Sequence, residues 1–216
     1  MEQVVLLPGL MCDERVFEPL IKLLKPNYHV HVPIMDTQKS IDGMVKYLLN
    51  TISGSFHLVG LSMGGIIAMT VAIKDPSRVK SMVLMDTSPH SDSVRKQAAR
   101  DKQIETVNQP SDLARIVAQE LKPNYVHDRS LNEHVLKLCM KMAMDLGCEV
   151  FINQCSALRN RKSLIDSLSF IDCKTLVLCG EHDKLCPVTV HEEIEALISN
   201  AELSIIPNCG HLPILE

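Results

Sequence analysis

The sequence predicts an α/β protein built on a doubly wound, mostly parallel sheet with a helical insertion. Three observations lead to this fold class. Short apolar runs of strand length alternate with helix-like segments toward both ends of the chain. Residues 90–172 between them show only helical patterns. The 216 residues, of which 46% are hydrophobic, suit one sizeable core better than two domains.

Six apolar runs bounded by turn residues are typical of buried strands. The segments between them have the length and apolar content of helices. Strands that alternate with such helices predict a parallel sheet covered on both faces. The predicted strands are residues 3–7, 29–33, 56–60, 80–86, 174–179 and 202–206, and the predicted helices lie near 15–24, 40–53, 63–74 and 189–198.

The alternation of strands and helices is interrupted in the middle of the chain. We therefore expect a core of residues 1–89 and 173–216, with residues 90–172 as a helical insertion. Methionine side chains fit irregular apolar spaces, so those of the insertion either line an adaptable pocket or fill contacts between helices. They are Met140, Met142 and Met144.

Composition and charge indicate an ordinary cytoplasmic protein. The net charge of −4 and the pI near 6.1 give no sign of a nucleic-acid or membrane partner. The N-terminus, Met1-Glu2-Gln3, lacks the basic residues that open a secretory signal. Eight cysteines without any Cys-x-x-Cys pair favour reduced, mostly buried thiols over disulfides.

The most informative motif is a serine between glycines at a junction from strand to helix. Residues 60–65 read Gly60-Leu61-Ser62-Met63-Gly64-Gly65, directly after the apolar run 56–59 and at the end of the predicted strand 56–60. So tight a turn strains the central residue and exposes its hydroxyl, and Gly60 and Gly64 provide positions without a side chain. The alternative is an ordinary turn in which the serine caps the helix.

Two loops near the C-terminus place further polar side chains just after predicted strands. One loop contains Gly180-Glu181-His182-Asp183, and the other contains Cys209-Gly210-His211-Leu212-Pro213. Sites in open parallel sheets form at this end of the strands. A serine hydroxyl needs a base to become a nucleophile, and the imidazole of His211 can take that proton and return it.

With these motifs in this order, the chain resembles α/β-hydrolases of the cap-bearing, cofactor-free group that includes esterases, carbon–carbon hydrolases and haloperoxidase-like enzymes. Nucleophile, acid and histidine follow one another as in their catalytic triad. The opening Val4-Val5-Leu6-Leu7-Pro8-Gly9-Leu10 is similar to their oxyanion-hole turn, with Pro8 where a histidine usually stands. The loop at 34–40 and the end at Glu216, where relatives usually continue into a helix, depart from the family pattern.

The resemblance implies a role for each site residue. Ser62 would be the nucleophile, His211 the base and Asp183 the acid that orients it, with Asp86 as the alternative acid. The backbone N–H groups of Leu10 and Met63 would form the oxyanion hole, and the insertion would form a cap over the serine.

No cofactor is expected. The sequence contains neither Gly-x-Gly-x-x-Gly nor a Walker A lysine motif. His29 and His31 share one face of a strand, but no third metal ligand is apparent, so we expect no metal site there.

We expect a serine hydrolase that acts on a small or medium ester, or on a thioester, through an acyl-enzyme. Carbon–carbon hydrolysis and haloperoxidase-like chemistry use the same triad and stay open. A receptor on the same scaffold is a third alternative, because fold does not fix function. Residues 90–165 hold 12 lysines and arginines against 9 acidic residues, which suits an acidic acyl carrier protein or a solvated surface.

Overall fold

A six-stranded sheet, all parallel, forms the centre of the computed structural model, which describes residues 1–216. The strand order is β2-β1-β3-β4-β5-β6. Every strand ends within two residues of the segment predicted from sequence. The strands are β1 (Glu2–Leu7), β2 (Tyr28–His31), β3 (Phe56–Leu61), β4 (Val79–Met85), β5 (Lys174–Gly180) and β6 (Ala201–Ile206).

Seven α-helices connect or flank these strands. They are α1 (Glu18–Leu24), α2 (Ile41–Thr51), α3 (Met63–Lys74), α4 (Val94–Thr106), α5 (Pro110–Ile116), α6 (Glu133–Arg159) and α7 (Val188–Leu197). Short 3-10 segments occupy Glu14–Phe17, Pro76–Arg78, Lys122–Asn124 and Ile165–Phe170, and Val117–Leu121 forms a π-helical turn.

Helices cover both faces of the sheet, which confirms the doubly wound α/β fold. Alternate residues of a strand point to opposite faces, so Val5 and Leu7 of β1 pack with α2, α3 and α7. Val4 and Leu6 point to the other face and belong to a second apolar cluster, which includes Phe17 and part of α6. Helix α3 is apolar almost all round and its first ten residues are buried, since it packs directly on the sheet.

Helices α4, α5 and α6 lie between β4 and β5, and no strand lies among them. A separate apolar cluster holds them together, centred on the fully buried Phe151 and Leu113. Helix α6 is broken at Gly147, whose backbone has φ 84° and ψ 179°. The methionines of this region pack in helix contacts, with Met142 fully buried. Met140 and Met144 lie at the edge of the Phe151 cluster.

All eight cysteines are free thiols, and six of them are buried. No helix of the structure is both long enough and apolar enough to cross a bilayer.

Candidate active site

Ser62 lies in a strained turn between β3 and α3. Its φ of 53° and ψ of −112° are unusual for a residue other than glycine. Hydrogen bonds from β4 and the residues after it hold this conformation. The Ser62 N–H donates to the Met85 carbonyl at 2.9 Å, and the Thr87 hydroxyl donates to the Ser62 carbonyl at 2.7 Å. The Ser62 side chain makes no capping hydrogen bond, so the structure does not support the helix-cap alternative.

The turn leaves no room for side chains at the two flanking glycines. A Cβ on Gly60 would lie 2.5 Å from the Gly64 carbonyl oxygen, because α3 folds back across β3. A Cβ on Gly64 would lie 1.8 Å from the Leu7 carbonyl oxygen on β1. Both separations are far inside van der Waals contact, so the tight turn requires glycine at both positions.

Asp183 and His211 form a buried hydrogen-bonded pair at the carboxyl ends of β5 and β6. Asp183 Oδ2 lies 2.8 Å from His211 Nδ1, and the two side chains are 0% and 5% exposed. Burial opposes ionisation of Asp183, but the hydrogen bond to His211 prevails and lowers the pKa of the carboxyl. The Tyr125 carbonyl accepts from the His211 N–H at 2.9 Å, and the Tyr125 ring stacks on the imidazole.

Asp86 makes no hydrogen bond or ion pair with His211, but it lies beside Asp183. Its side chain is fully buried, and its Oδ1 accepts from the Gly180 N–H at 2.9 Å. Its Oδ2 has no donor, and the Asp183 carboxyl is its polar neighbour. Burial and the negative charge of Asp183 raise the pKa of Asp86 to about 9. Asp86 is therefore a neutral acid at pH 7 and can donate a hydrogen bond to Asp183.

Ser62 and His211 line one cavity of about 230 Å³. Leu10 and Met63 line it as well, and the backbone N–H of Leu10 donates to no acceptor within the protein. The N–H of Met63 begins α3, where the first turn leaves donors without helical partners. No direct hydrogen bond joins the Ser62 hydroxyl to His211, a separation common in enzymes without bound substrate.

Two residues that the sequence did not identify, His191 and Gln154, hold the loops of this site. His191 is fully buried, accepts from the Thr87 N–H at 3.1 Å and donates from Nδ1 to the Pro187 carbonyl. Its burial lowers its pKa, in keeping with a neutral ring. Gln154 of α6 accepts from the Met11 N–H at 2.9 Å, next to the Pro8-Gly9 turn. Thr87 and Met11 lie more than a hundred residues away from His191 and Gln154, so no local motif points to these contacts.

One group of side chains has the spacing of a metal site. Ligand atoms of Asp183, Cys186 and His211 lie within 4.8 Å of one another. Burial, and then the charge of Asp183, raise the pKa of the Cys186 thiol strongly, so the thiol keeps its proton and is a poor ligand. His29 and His31 lie on the edge strand β2, apart from this group.

A serine on a strained turn that lines one cavity with the histidine of a histidine–carboxylate pair, at the same edge of a parallel sheet, is the arrangement of an α/β-hydrolase. Residues 4–216 match the model of the alpha/beta hydrolase family. The chain therefore belongs to that family.

Two similar curated proteins are named as enzymes that cleave ester bonds. The chain is 25% identical over 241 residues to the pimeloyl-[acyl-carrier protein] methyl ester esterase of Legionella pneumophila strain Paris, covering 99% of this chain and 89% of that protein. It is 24% identical over 247 residues to the human monoacylglycerol lipase ABHD6, covering 99% and 71%. The chain is therefore a member of a hydrolase family whose curated relatives include an esterase and a lipase.

Solved structures share the fold. An esterase from Thermogutta terrifontis, with malate bound, superposes with a TM-score of 0.87 at 23% identity, covering 100% of this chain and 85% of that one. The enol-lactonase from Burkholderia xenovorans LB400 superposes with a TM-score of 0.83 at 19% identity, covering 98% and 85%.

Proposed function

We propose that the protein is a serine hydrolase that cleaves a small or medium carboxylic ester through an acyl-enzyme on Ser62. The observation that carries this proposal is the meeting of the strained Ser62 and the Asp183–His211 pair at one cavity. A serine without a capping bond, held in a costly conformation, has a role other than stability.

In the proposed mechanism, His211 acts first as base and then as acid. Its Nε2 takes the proton of the Ser62 hydroxyl while Oγ forms a bond to the ester carbonyl carbon. The protonated imidazole then gives that proton to the departing alcohol as the carbon–oxygen bond breaks. A water molecule, deprotonated by the same ring, attacks the acyl-enzyme and releases the carboxylic acid.

The carboxylate and the free N–H groups support the charges that form. Asp183 accepts from Nδ1 of His211, which fixes the tautomer with Nε2 facing the cavity and stabilises the imidazolium. The N–H groups of Leu10 and Met63 would hold the oxyanion of the tetrahedral intermediate. The positive end of the α3 helix dipole would stabilise the same negative charge.

Residues 90–172 would serve as the cap that shapes the substrate pocket. Side chains of this segment line the same cavity as Ser62, among them Leu121, Tyr125 and Leu158. The segment also contacts the catalytic loop, because Tyr125 lies against His211. Substitutions of cap side chains that line the cavity should change which acyl groups are preferred and should affect the rate of the chemical step less.

The direct test is replacement of the proposed nucleophile. Ser62→Ala should lower turnover of p-nitrophenyl butyrate by several orders of magnitude while the circular-dichroism spectrum stays unchanged. Ser53→Ala, at an exposed serine, is the matched control and should keep parental turnover. Parental turnover in Ser62→Ala would disprove the assignment.

A fluorophosphonate probe separates the enzyme from a receptor on the same scaffold. Stoichiometric labelling at Ser62 supports the enzyme, whereas an unreactive Ser62 in folded protein supports the receptor. A diketone substrate beside the ester panel tests the carbon–carbon alternative, which uses the same three side chains.

A carrier-linked ester is a second candidate substrate. The relatives from Legionella pneumophila act on such an ester by name. On the insertion, Lys122, Arg129 and Lys137 line one shallow depression, and only Lys137 among them has an acidic partner, Glu133 at 3.1 Å. Docking of an acidic carrier there predicts turnover that falls steeply with salt for carrier-linked esters but not for free ones. Equal salt dependence for both would exclude docking.

A further inference from the structure

The cavity beside Ser62 is mostly apolar but contains one group of charged side chains from the insertion. We call Asp92, Arg100 and Arg161 the charged cluster; all three line the cavity. Lys96, which is exposed, lines it as well. Asp92 is the only acidic residue in the lining.

Both arginines of the charged cluster bind the same carboxylate. Arg100 Nε donates to Asp92 Oδ2 at 2.5 Å, and Arg161 Nη2 lies 3.0 Å from Asp92 Oδ1. The side chain of Asp92 is 0% exposed, and those of Arg161 and Arg100 are 7% and 18% exposed. The cluster is therefore withdrawn from bulk water.

The charges of the cluster do not balance. Two guanidinium groups face one carboxylate, which leaves one positive charge in a largely buried place. Burial lowers the pKa of Arg161, although the charge of Asp92 opposes this. A single arginine would neutralise Asp92, so the second guanidinium group has no counter-charge within the cluster.

Hydrogen-bond donors of the cluster also lack partners. Arg161 uses its Nε to donate to the His90 carbonyl at 2.8 Å, while its Nη1 has no acceptor within the protein. The Nη groups of Arg100 donate to no oxygen of the protein, and the Cys155 thiol is the other polar neighbour of this guanidinium group. A pair of guanidinium groups with free Nη donors matches the two oxygens of a carboxylate.

We propose that the charged cluster binds a carboxylate of the substrate, so that the preferred substrates are short monoesters of dicarboxylic acids. The proposal rests on the proposed function, because the ester must reach Ser62 while its carboxylate reaches Arg100 and Arg161. The single unbalanced positive charge fits a carboxylate monoanion. The volume of about 230 Å³ fits a short chain.

The kinetic test compares esters that differ only in charge. Monomethyl glutarate and dimethyl glutarate have the same acyl chain, and released methanol reports hydrolysis of both. We expect kcat/KM to be higher for the monoester than for the diester. Arg100→Gln should lower the ratio of these two kcat/KM values by roughly ten- to a hundredfold.

Lys102→Gln is the matched control, since it removes one positive charge from an exposed position of the same helix and should leave the ratio unchanged. Arg100→Lys keeps the charge without the planar fork and should give an intermediate ratio, which also serves if Arg100→Gln does not fold. A parental preference for the diester, or an equal ratio in Arg100→Gln and parent, would overturn the proposal.

Binding without chemistry separates this proposal from the proposed function. Calorimetric titration of glutarate into Ser62→Ala should show binding that Arg100→Gln in the same background weakens at least tenfold. No binding to folded Ser62→Ala would refute the carboxylate site even if neutral esters are cleaved. Binding by Ser62→Ala, together with a parent protein that cleaves no ester, would uphold the site and refute the proposed function.

Discussion

Replacement of Asp86 by asparagine should stabilise the protein increasingly as pH rises. In the folded state burial and Asp183 raise the pKa of Asp86 to about 9, whereas an aspartate in the unfolded chain titrates near ~3.9. Between these values the folded protein holds a proton that the unfolded chain has lost. The stability contributed by Asp86 therefore falls as pH rises through this window. Asparagine does not titrate and escapes that loss.

The size of the effect follows from one proton. Each pH unit inside the window costs the parent about 1.4 kcal/mol relative to Asp86→Asn, so the difference grows by about 4 kcal/mol from pH 5 to pH 8. Asparagine fits the site, because its amide oxygen can accept from the Gly180 N–H and its NH₂ can donate to Asp183. It also tolerates the φ of 45° at this position.

Urea unfolding at pH 5, 6, 7 and 8, in reductant, measures the free energy of unfolding of parent and variant. Asp166→Asn, at an exposed carboxyl, is the control and should follow the parent at every pH. A free-energy difference between Asp86→Asn and parent that stays constant within about 1 kcal/mol would refute a proton bound by Asp86.

Three further substitutions test the frame around the serine. Gly64→Ala should abolish folding or cost more than ~3 kcal/mol, because its Cβ would lie 1.8 Å from a β1 carbonyl oxygen. Gly147→Ala meets no atom within 4 Å and costs only the backbone strain of its positive φ, about 1–3 kcal/mol, so thermal melts should show a smaller loss for this variant. Asp183→Asn should lower kcat for an ester by about four orders of magnitude with intact fold, and a loss under tenfold would exclude its orienting role. His191→Phe leaves the buried Thr87 N–H without an acceptor, so urea unfolding should show a free energy of unfolding lower by about 1–3 kcal/mol. An unchanged urea midpoint would contradict this role of His191.

The sequence predicts the sheet well, because each strand is a short apolar run with clear boundaries. Ser62, Asp183 and His211 could be singled out for the same reason: each follows a strand, and parallel strands bring their carboxyl ends to one edge. The sequence favours Asp183 over Asp86 as the partner of the histidine, and in the structure Asp183 Oδ2 lies 2.8 Å from His211 Nδ1.

The parts that sequence did not predict depend on packing between distant segments. Asp92 and Arg161 come together only when the loop after β4 meets the end of α6, and no spacing in the chain signals that contact. His191 and Gln154 act on loops far from them in sequence. The break at Gly147 is equally hidden, because the apolar periodicity continues across it.

The buried cysteines of this protein report whether its fold is intact. Only the thiolate reacts readily with alkylating reagents, and burial raises the pKa of Cys139 and Cys209 to about 12 and that of Cys155 to about 11. At these three positions the native protein should thus be slow to react with iodoacetamide, and local opening around each of them should increase its modification. Mass spectrometry of individual peptides would then measure how fast each region opens, without any introduced label.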